Sequence, residues 1–451
     1  MERVPHPEFL QRGRGKLMRG DKLNDGTVIQ EPVYPRWRVY YAWTLLFLLY
    51  IFDYMDRFIV VALYPFLKSE WGLSDAQCGL FMSAVFWAEV IFALPIAALI
   101  DRWSRTKGIG IMAIVWSLAT AAGAFTRNFA QLFTTRCFVG FGEAGYSSGG
   151  IALISAITKP EKRARWLGFW QAGIPIGQAM GILLGGWIAV NFGWRNALGI
   201  AAIPGIIVAI MFFWVKDYKT VELVKSIPKE EAAGKVKMGT VDIIKELFRS
   251  KSLVLDNFAT AAITFLTTAF ISWLAVYLQR FQGMSVERSS MMVAGMLIVA
   301  FIGAPLGGFL TDQWLKTRPN ARMLFPALCA LISAALLLAG FTLFHGFTAY
   351  LFIVASGFFI MMCLPGGLAV TQDVVHPGLR TTSRSVAVIF QTLLGGALGP
   401  LVVGALSDMY GLDKAMMFLP SIGLLAAILF FWGSFYYKKD LDACEKCQIV
   451  F

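Results

Sequence analysis

Several ionisable side chains lie inside long apolar stretches of the sequence, where a bilayer or a protein core would surround them. Asp53, Asp56 and Arg57 occur in one apolar run, at spacings that place them on one face of a helix. Arg136 and Glu143 lie seven residues apart in another run and therefore share a second helical face. A charge in such a setting is costly, so intramembrane ionisable residues mark binding or proton sites by default.

The chemistry of these residues suits an anion and a proton. The planar guanidinium groups of Arg57 and Arg136 can bind a carboxylate or a phosphate through two parallel hydrogen bonds. A carboxyl group in a dry cavity can hold a proton, whereas an adjacent arginine favours its ionised form. An anion that binds the arginine would therefore release Asp56 or Glu143 to accept a proton. The alternative is a structural network of buried ion pairs.

The depth of the two arginines supports a shared pocket. If the first helix runs outward and the fourth inward, Arg57 and Arg136 both lie about 9–10 Å below the outer surface, at about 1.5 Å per residue. Asp56 and Glu143 would then lie one or two turns deeper. Glu89, in the middle of another apolar run, could be a protonation site, a second substrate contact or a neutral acid that packs between helices.

The elements that carry these residues are predicted to be membrane helices. The chain has 451 residues, of which 57% are hydrophobic and 15% are charged, and its mean hydropathy is +0.64. Runs of 20 or more apolar residues exclude a soluble fold. We predict an all-α membrane protein with twelve spans, at roughly 40–63, 76–100, 108–126, 130–157, 166–190, 197–215, 253–279, 289–311, 323–344, 348–373, 384–407 and 415–437.

The distribution of basic residues predicts the topology. Of the 40 Lys and Arg residues, 32 fall in the tails and in alternate loops, and six fall in the opposite loops. This asymmetry is the positive-inside rule, and it places both termini in the cytoplasm of a cell (inner or plasma) membrane. The net charge of +12 therefore reflects topology, and we expect no nucleic-acid partner. We also expect no cleaved signal peptide, because the first apolar run is too long for one.

The chain divides into two similar halves. We predict a tail at 1–39, a six-helix bundle at 40–215, a polar linker at 216–252, a second bundle at 253–437 and a tail at 438–451. The motif at 97–102 recurs at 308–312, 211 residues later, and Pro160 and Arg163 recur as Pro377 and Arg380, 217 residues later. Such internal repeats are typical of transporters that bind substrate near the bilayer midplane, between the halves.

Two levels of resemblance follow from these motifs. Twelve helices in two groups of six, with residues 97–105 (AALIDRWSR) between the second and third helices, resemble the major facilitator superfamily. The resemblance implies that Asp101, Arg102 and Arg105 form a latch that closes the cytoplasmic mouth, with Asp312 as the equivalent in the second half. The sequence departs from the pattern at Ala97 and Ser104, where glycines are expected, and at Gln313, where an arginine is expected.

Residues 53–58 (DYMDRF), 136–147, 174–177 and 377–383 further resemble the Spinster family. This resemblance implies that Asp56, Arg57, Arg136 and Glu143 bind the proton and the substrate head group. Asp53 stands where the family has asparagine. Organic-anion symporters of the same superfamily share the Asp-Arg and Gly-Glu elements, so they remain the alternative.

The second half carries few central charges. We expect Asp256 to be an end residue of the seventh helix, and the stripe Thr260, Thr264, Thr268 and Ser272 to serve helix packing or a weakly polar cavity wall. A charged first half facing an apolar second half suits an anionic amphiphile. The alternative from another class, a channel, would need a continuous polar lining across both halves.

Enzymatic chemistry is not expected. The match Gly140-x-Gly142-x-x-Gly145 to a nucleotide fingerprint lies inside a membrane helix, and the chain has no Walker A sequence. We therefore predict neither cofactor nor metal. The sequence predicts a monomeric, proton-coupled secondary transporter of a lysolipid-like anion, or alternatively a proton-coupled symporter of small aromatic, sugar or carboxylic acids.

Overall fold

The structure is a computed structural model that describes residues 35–158, 166–167, 169–215, 247–375 and 379–446. Some side chains inside these ranges are not described, among them those of Asp101, Arg102 and Arg105. Within the described ranges every regular element is a helix, which confirms the predicted all-α class.

Seven helices are found among the described residues of the first half. They are α1 (Arg36–Trp71), α2 (Asp75–Trp103), α3 (Arg105–Gly123), α4 (Phe129–Glu143), α5 (Tyr146–Ile157), α6 (Gly173–Phe192) and α7 (Trp194–Phe212). The predicted span 130–157 is therefore two helices, α4 and α5, that are interrupted directly after Glu143. Each of the other predicted spans of this half corresponds to one helix.

The second half repeats this plan with one irregularity. Its helices are α8 (Lys251–Gln282), α9 (Val286–Leu315), α10 (Ala321–Thr342), α11 (Gly346–Asp373), α12 (Arg380–Phe390), α13 (Leu398–Tyr410) and α14 (Leu412–Lys446). The segment Gln391–Gly396 between α12 and α13 is π-helical, so the predicted span 384–407 contains a widened turn. Such π turns inside α-helices are often found at functional sites.

Ten helices of the described chain are long and apolar enough to cross a membrane. The two remaining predicted spans are α1 and the α4–α5 pair, which carry the charges of the candidate site. Residues 1–34, 216–246 and 447–451 lie outside the described residues. The predicted division into two six-helix bundles, a linker and two tails therefore stays a prediction.

The helix ends define two sides of the bundle. We call the side on which α1 begins the terminal side, and the side on which α1 ends the distal side. On the distal side, Gly72 ends α1 in a left-handed conformation (φ 63°) that favours glycine. Ser74 then begins α2 in a capping box with Gln77. This short connection brings the ends of α1 and α2 close together.

Small residues set the helix packing around α1. A Cβ atom on Gly177 of α6 would lie 2.3 Å from the main-chain oxygen of Ile51, and one on Gly181 would lie 2.5 Å from that of Met55. The two helices are therefore in backbone contact, which is the close packing predicted for this glycine stripe.

The threonine stripe of α8 also serves packing. The hydroxyl groups of Thr264 and Thr268 donate to main-chain oxygens one turn earlier in the same helix. A Cβ atom on Gly395 of the π segment would lie 2.6 Å from Cβ of Thr264. A Cβ atom on Gly399 would lie 2.7 Å from the hydroxyl oxygen of Thr268. The stripe therefore faces α12–α13, which confirms the packing alternative.

The two halves meet on the distal side. Ser83 of α2 donates a hydrogen bond of 2.5 Å to the main-chain oxygen of Ala397, at the start of α13. Between α6 and α9, a Cβ atom on Gly186 would lie 2.4 Å from the hydroxyl oxygen of Ser290. The halves are therefore closely packed at this end of the bundle.

Candidate functional site

Arg57 is the centre of the buried charge cluster. Its side chain is 3% exposed, and its Nη1 lies 3.0 Å from Oε2 of Glu89. Its Nη2 lies 2.5 Å from Oε2 of Glu143 and 3.9 Å from Oδ1 of Asp53. Both ends of the guanidinium group are therefore occupied by carboxylates of the protein, from three different helices.

Arg136 lies at the level of Arg57, as predicted, and contacts the main chain of α1. Its Nη2 donates to the main-chain oxygens of Asp56 (3.0 Å) and Arg57 (3.1 Å). Only 1% of the residue is exposed. Its Nε and Nη1 have no hydrogen-bond partner among the described residues, so binding of an anion by Arg136 stays a prediction. Arg136 joins α4 to α1 and keeps a positive charge inside the bundle.

The acids of the cluster differ in exposure. Asp56 is fully buried, and among the described residues neither of its carboxylate oxygens has a hydrogen-bond partner. The side chain of Glu143 is 1% exposed and that of Asp53 is 5% exposed. Glu89 is the exception, because 26% of its side chain is exposed. It is therefore the most exposed acid of the cluster.

The ion pair with Arg57 gives Glu89 a partner on α1. Its position on α2 was evident from the sequence, but the sequence left open whether it packs as a neutral acid. The contact with Arg57 shows that Glu89 is the carboxylate that occupies Nη1 of the guanidinium group.

Aromatic side chains enclose Arg57. The Cζ atom of Arg57 lies 5.1 Å from the ring centre of Tyr54 and 4.9 Å from that of Phe86. One turn earlier in α1, Tyr50 stacks on Trp170 with ring centres 4.0 Å apart. Cation–π contacts of this kind stabilise a desolvated arginine. The spacing of four between Tyr50 and Tyr54 is the sequence signal that could have predicted this face.

An apolar side chain that contacts Arg57 also contacts the second half. The ring of Phe86 lies against Gly396 of the π segment, with a hypothetical Cβ 3.1 Å from the ring. Asp256 lies near the start of α8, as expected, in its second turn. It is fully buried there, which the sequence did not indicate.

A second cluster, missed by the sequence analysis, closes the distal side. Arg280 binds Asp75 through two hydrogen bonds of 2.7 and 2.8 Å. Lys68 and Ser407 also contact the Asp75 carboxylate. Asp408 accepts the main-chain N–H of Asp75 at 2.7 Å, where the positive end of the α2 dipole favours an anion. Because these residues lie at helix ends, the sequence analysis treated them as loop charges or did not consider them.

The predicted latch residues of the first half lie at the end of α2 and the start of α3. The side chains of Asp101, Arg102 and Arg105 lie outside the described residues, so their latch stays a prediction. Asp312 is exposed near the terminal-side end of α9.

The fold and the cluster can now be compared with known proteins. The family model described as Major Facilitator Superfamily matches residues 46–400. The chain belongs to the Major Facilitator Superfamily. The match includes α1, α2 and α4, which carry the buried charges, and ends within α13.

Three relatives illustrate the range of similarity. The hexuronate transporter of Bacillus subtilis is 28% identical over 373 residues, which cover 81% of this chain and 87% of that protein. Protein spinster homolog 1 of Xenopus laevis is 26% identical over 440 residues, with coverage of 89% and 81%. The sphingosine-1-phosphate transporter of Danio rerio is 26% identical over 442 residues, with coverage of 88% and 84%. These matches confirm the resemblance to the Spinster family.

A solved structure supports the fold. The chain is similar to a bacterial homolog of the human lysosomal transporter Spinster, determined in an inward-facing and unoccupied conformation. The TM-score is 0.79 at 23% identity, and the match covers 90% of this chain and 99% of that one. The protein is thus a multi-pass membrane transporter of this superfamily and not an enzyme.

Proposed function

We propose that this protein is a proton-coupled secondary transporter of a lysolipid-like anion, and that the cluster around Arg57 binds its head group. The observation that carries this proposal is the position of Arg57 between two carboxylates, one buried and one partly exposed. A phosphate or carboxylate of the substrate would replace the carboxylate of Glu89 on Nη1. The same planar hydrogen-bond geometry serves both anions.

The charge balance of the cluster supports proton coupling. Asp53, Asp56, Glu89 and Glu143 are four acids that surround two arginines, so full ionisation would leave two excess negative charges. A low-dielectric interior disfavours such an excess. Protons on two of the acids would balance the arginines. An incoming anion adds negative charge, and its binding therefore favours uptake of a further proton.

The apolar contact of Phe86 with the π segment supports an amphiphilic substrate. The head group would lie on Arg57, and an acyl tail would lie along Phe86 and the π segment. Two relatives agree with this class, since one is a sphingosine-1-phosphate transporter and another, from Arabidopsis thaliana, is a probable sphingolipid transporter. The second candidate is a proton-coupled symporter of small organic acids. The similarity to a hexuronate transporter favours it.

The orientation follows from the positive-inside rule. We place the terminal side and both chain termini in the cytoplasm and the protein in the cell membrane as a monomer. The distal cluster around Asp75 then closes the outer end. In this conformation the substrate would reach Arg57 from the cytoplasmic side. The predicted latch of Asp101, Arg102 and Arg105, with Asp312, would close that side in the opposite state.

Uptake by purified protein in liposomes tests the proposal. A homologous series of lysolipids and a set of sugar and aromatic acids would compete against one labelled substrate, with and without an imposed pH gradient. If the tail is buried, binding should strengthen by up to about 0.8 kcal/mol per CH₂, or roughly 3 kcal/mol for four carbons. A flat or falling trend with chain length would leave the organic-acid symporter. Uptake that does not respond to the pH gradient would refute proton coupling.

A further inference from the structure

The second half contains a buried acid that is not a member of the Arg57 cluster. Asp256 lies in the second turn of α8 and is fully buried. Among the described residues, neither of its carboxylate oxygens has a hydrogen-bond partner. An ionised carboxylate without a donor or a counter-ion is very costly in a low-dielectric interior. The geometry therefore favours a neutral, protonated Asp256 in this conformation.

The packing around Asp256 leaves little space for water. A Cβ atom on Gly367 of α11 would lie 3.1 Å from Oδ1 of Asp256 and 2.5 Å from Cγ2 of Thr260. The same hypothetical atom would lie 3.7 Å from the ring of Phe430 on α14. The hydroxyl group of Thr260 donates to the main-chain oxygen of Asp256, at 2.8 Å, and not to its carboxylate. Neither its own helix nor its neighbours in α11 and α14 provide a donor.

The charged groups near Asp256 come from three helices. On α14, the hydroxyl group of Tyr437 donates to Asp373 of α11, which is also paired with Arg322 of α10. The cation that interacts electrostatically with Asp256 is Arg384 of α12. Arg322 is therefore already paired with Asp373. Of the described cations around Asp256, this leaves Arg384 as the counter-ion available to it.

Arg384 is shared between the two halves of the protein. It interacts electrostatically with Asp256 of α8 and with Tyr50 of α1, one turn from the aromatic contacts of Arg57. It is only partly exposed, and it forms no ion pair with a described carboxylate. It lies in the second turn of α12, within the predicted span 384–407.

The π segment gives Arg384 a route for movement. α12 has only eleven residues, and Gln391–Gly396 separates it from α13. A widened turn can close to an α turn when its helix shifts by one residue, and such turns are frequent at functional sites. A shift of this kind would rotate α12 and carry the guanidinium group of Arg384 around the helix axis.

We propose that Asp256 is a second proton-binding site and that Arg384 controls its occupancy. Asp256 holds its proton while its carboxyl group has no hydrogen bond to Arg384, as in this conformation. When Arg384 moves onto the carboxylate, the O–H bond of Asp256 breaks, the proton passes to water that the movement admits, and N–H···O hydrogen bonds from Arg384 replace it. This inference rests on the proposed function, since it adds one proton to the transport cycle at a site in the opposite half.

The coupling ratio of the reconstituted full-length protein tests this inference. Reversal potentials in liposomes give the number of protons moved per substrate. We expect Asp256→Asn, which resembles the protonated acid in shape, to move one proton fewer than the wild type. Arg384→Gln should show the same loss, and the double variant should show no further loss. Asp442→Asn, at an exposed aspartate of α14, is the matched control.

Infrared difference spectroscopy provides a readout that does not need transport. The band of a protonated carboxyl group in the wild type should be lost in Asp256→Asn and kept in Asp442→Asn. If the wild type is proton-coupled, and Asp256→Asn keeps both the wild-type number of protons per substrate and the carboxyl band, the inference is wrong and the proposed function stands. A wild type without any proton dependence would overturn the proposed function, and the inference with it.

Discussion

Replacement of Glu89 by glutamine should strengthen the binding of an anionic substrate. In the structure the carboxylate of Glu89 occupies Nη1 of Arg57 at 3.0 Å, so it competes with the substrate anion for the same donor. Glutamine has nearly the same shape and can still accept this hydrogen bond through its amide oxygen. It removes the negative charge that the substrate must displace.

The magnitude follows from the exposure of the pair. A hydrogen bond between charged groups contributes about 1.5–3 kcal/mol to stability. The Arg57 side chain is 3% exposed but that of Glu89 is 26% exposed, so solvent screening places the contact at the lower end of this range. A gain of about 1.5 kcal/mol corresponds to roughly a tenfold lower Kd for Glu89→Gln.

The assay is equilibrium binding of one labelled anionic substrate to purified wild type and variants at constant pH and ionic strength. Glu70→Gln is the matched control. Glu70 pairs with Arg195 at 2.7 Å on the distal surface, and both side chains are 40% exposed. We expect the wild-type Kd for this control. Unchanged or weaker binding by Glu89→Gln would show that Glu89 supports the substrate and does not compete with it.

Two further outcomes concern coupling and access. Asp56→Asn and Glu143→Gln should each abolish the stimulation of uptake by a pH gradient while leaving the protein folded; a gradient response that persists in both variants would contradict the proton assignment. Arg280→Gln should weaken the distal closure by about 1–2 kcal/mol, because Asp75 loses its two hydrogen bonds to a partly exposed arginine. Labelling of the buried native Cys78 by a membrane-impermeant maleimide should then rise five- to thirtyfold, and unchanged labelling would show that the cluster does not hold this end closed.

Much of the fold was predictable because a bilayer leaves few options. A polar backbone in hydrocarbon must satisfy its hydrogen bonds internally, so each long apolar run has to be a helix. The structure accordingly places a helix at every predicted span. The interruption after Glu143 and the π segment were not predicted, because no proline marks either position in the sequence.

The candidate site was predictable in its members but not in its contacts. Periodicity shows that Asp53, Asp56 and Arg57 share one region of α1, and it gives their depth. It does not show which face of a neighbouring helix lies opposite. For this reason the sequence could not assign Glu89 to Arg57, or direct Arg136 to main-chain oxygens. The burial of Asp256 was missed for the same reason, since position along a helix does not reveal what packs around it.

The backbone contact between α6 and α1 has a mechanical consequence. With Gly177 and Gly181 in contact with main-chain oxygens of α1, the two helices have no side-chain layer between them that could slide or repack. A helix pair joined in this way moves as a single lever. Any tilt of α6 against α9 at the interface between the halves would therefore also move Arg57, so that rocking of the halves and repositioning of the proposed head-group site would be one motion.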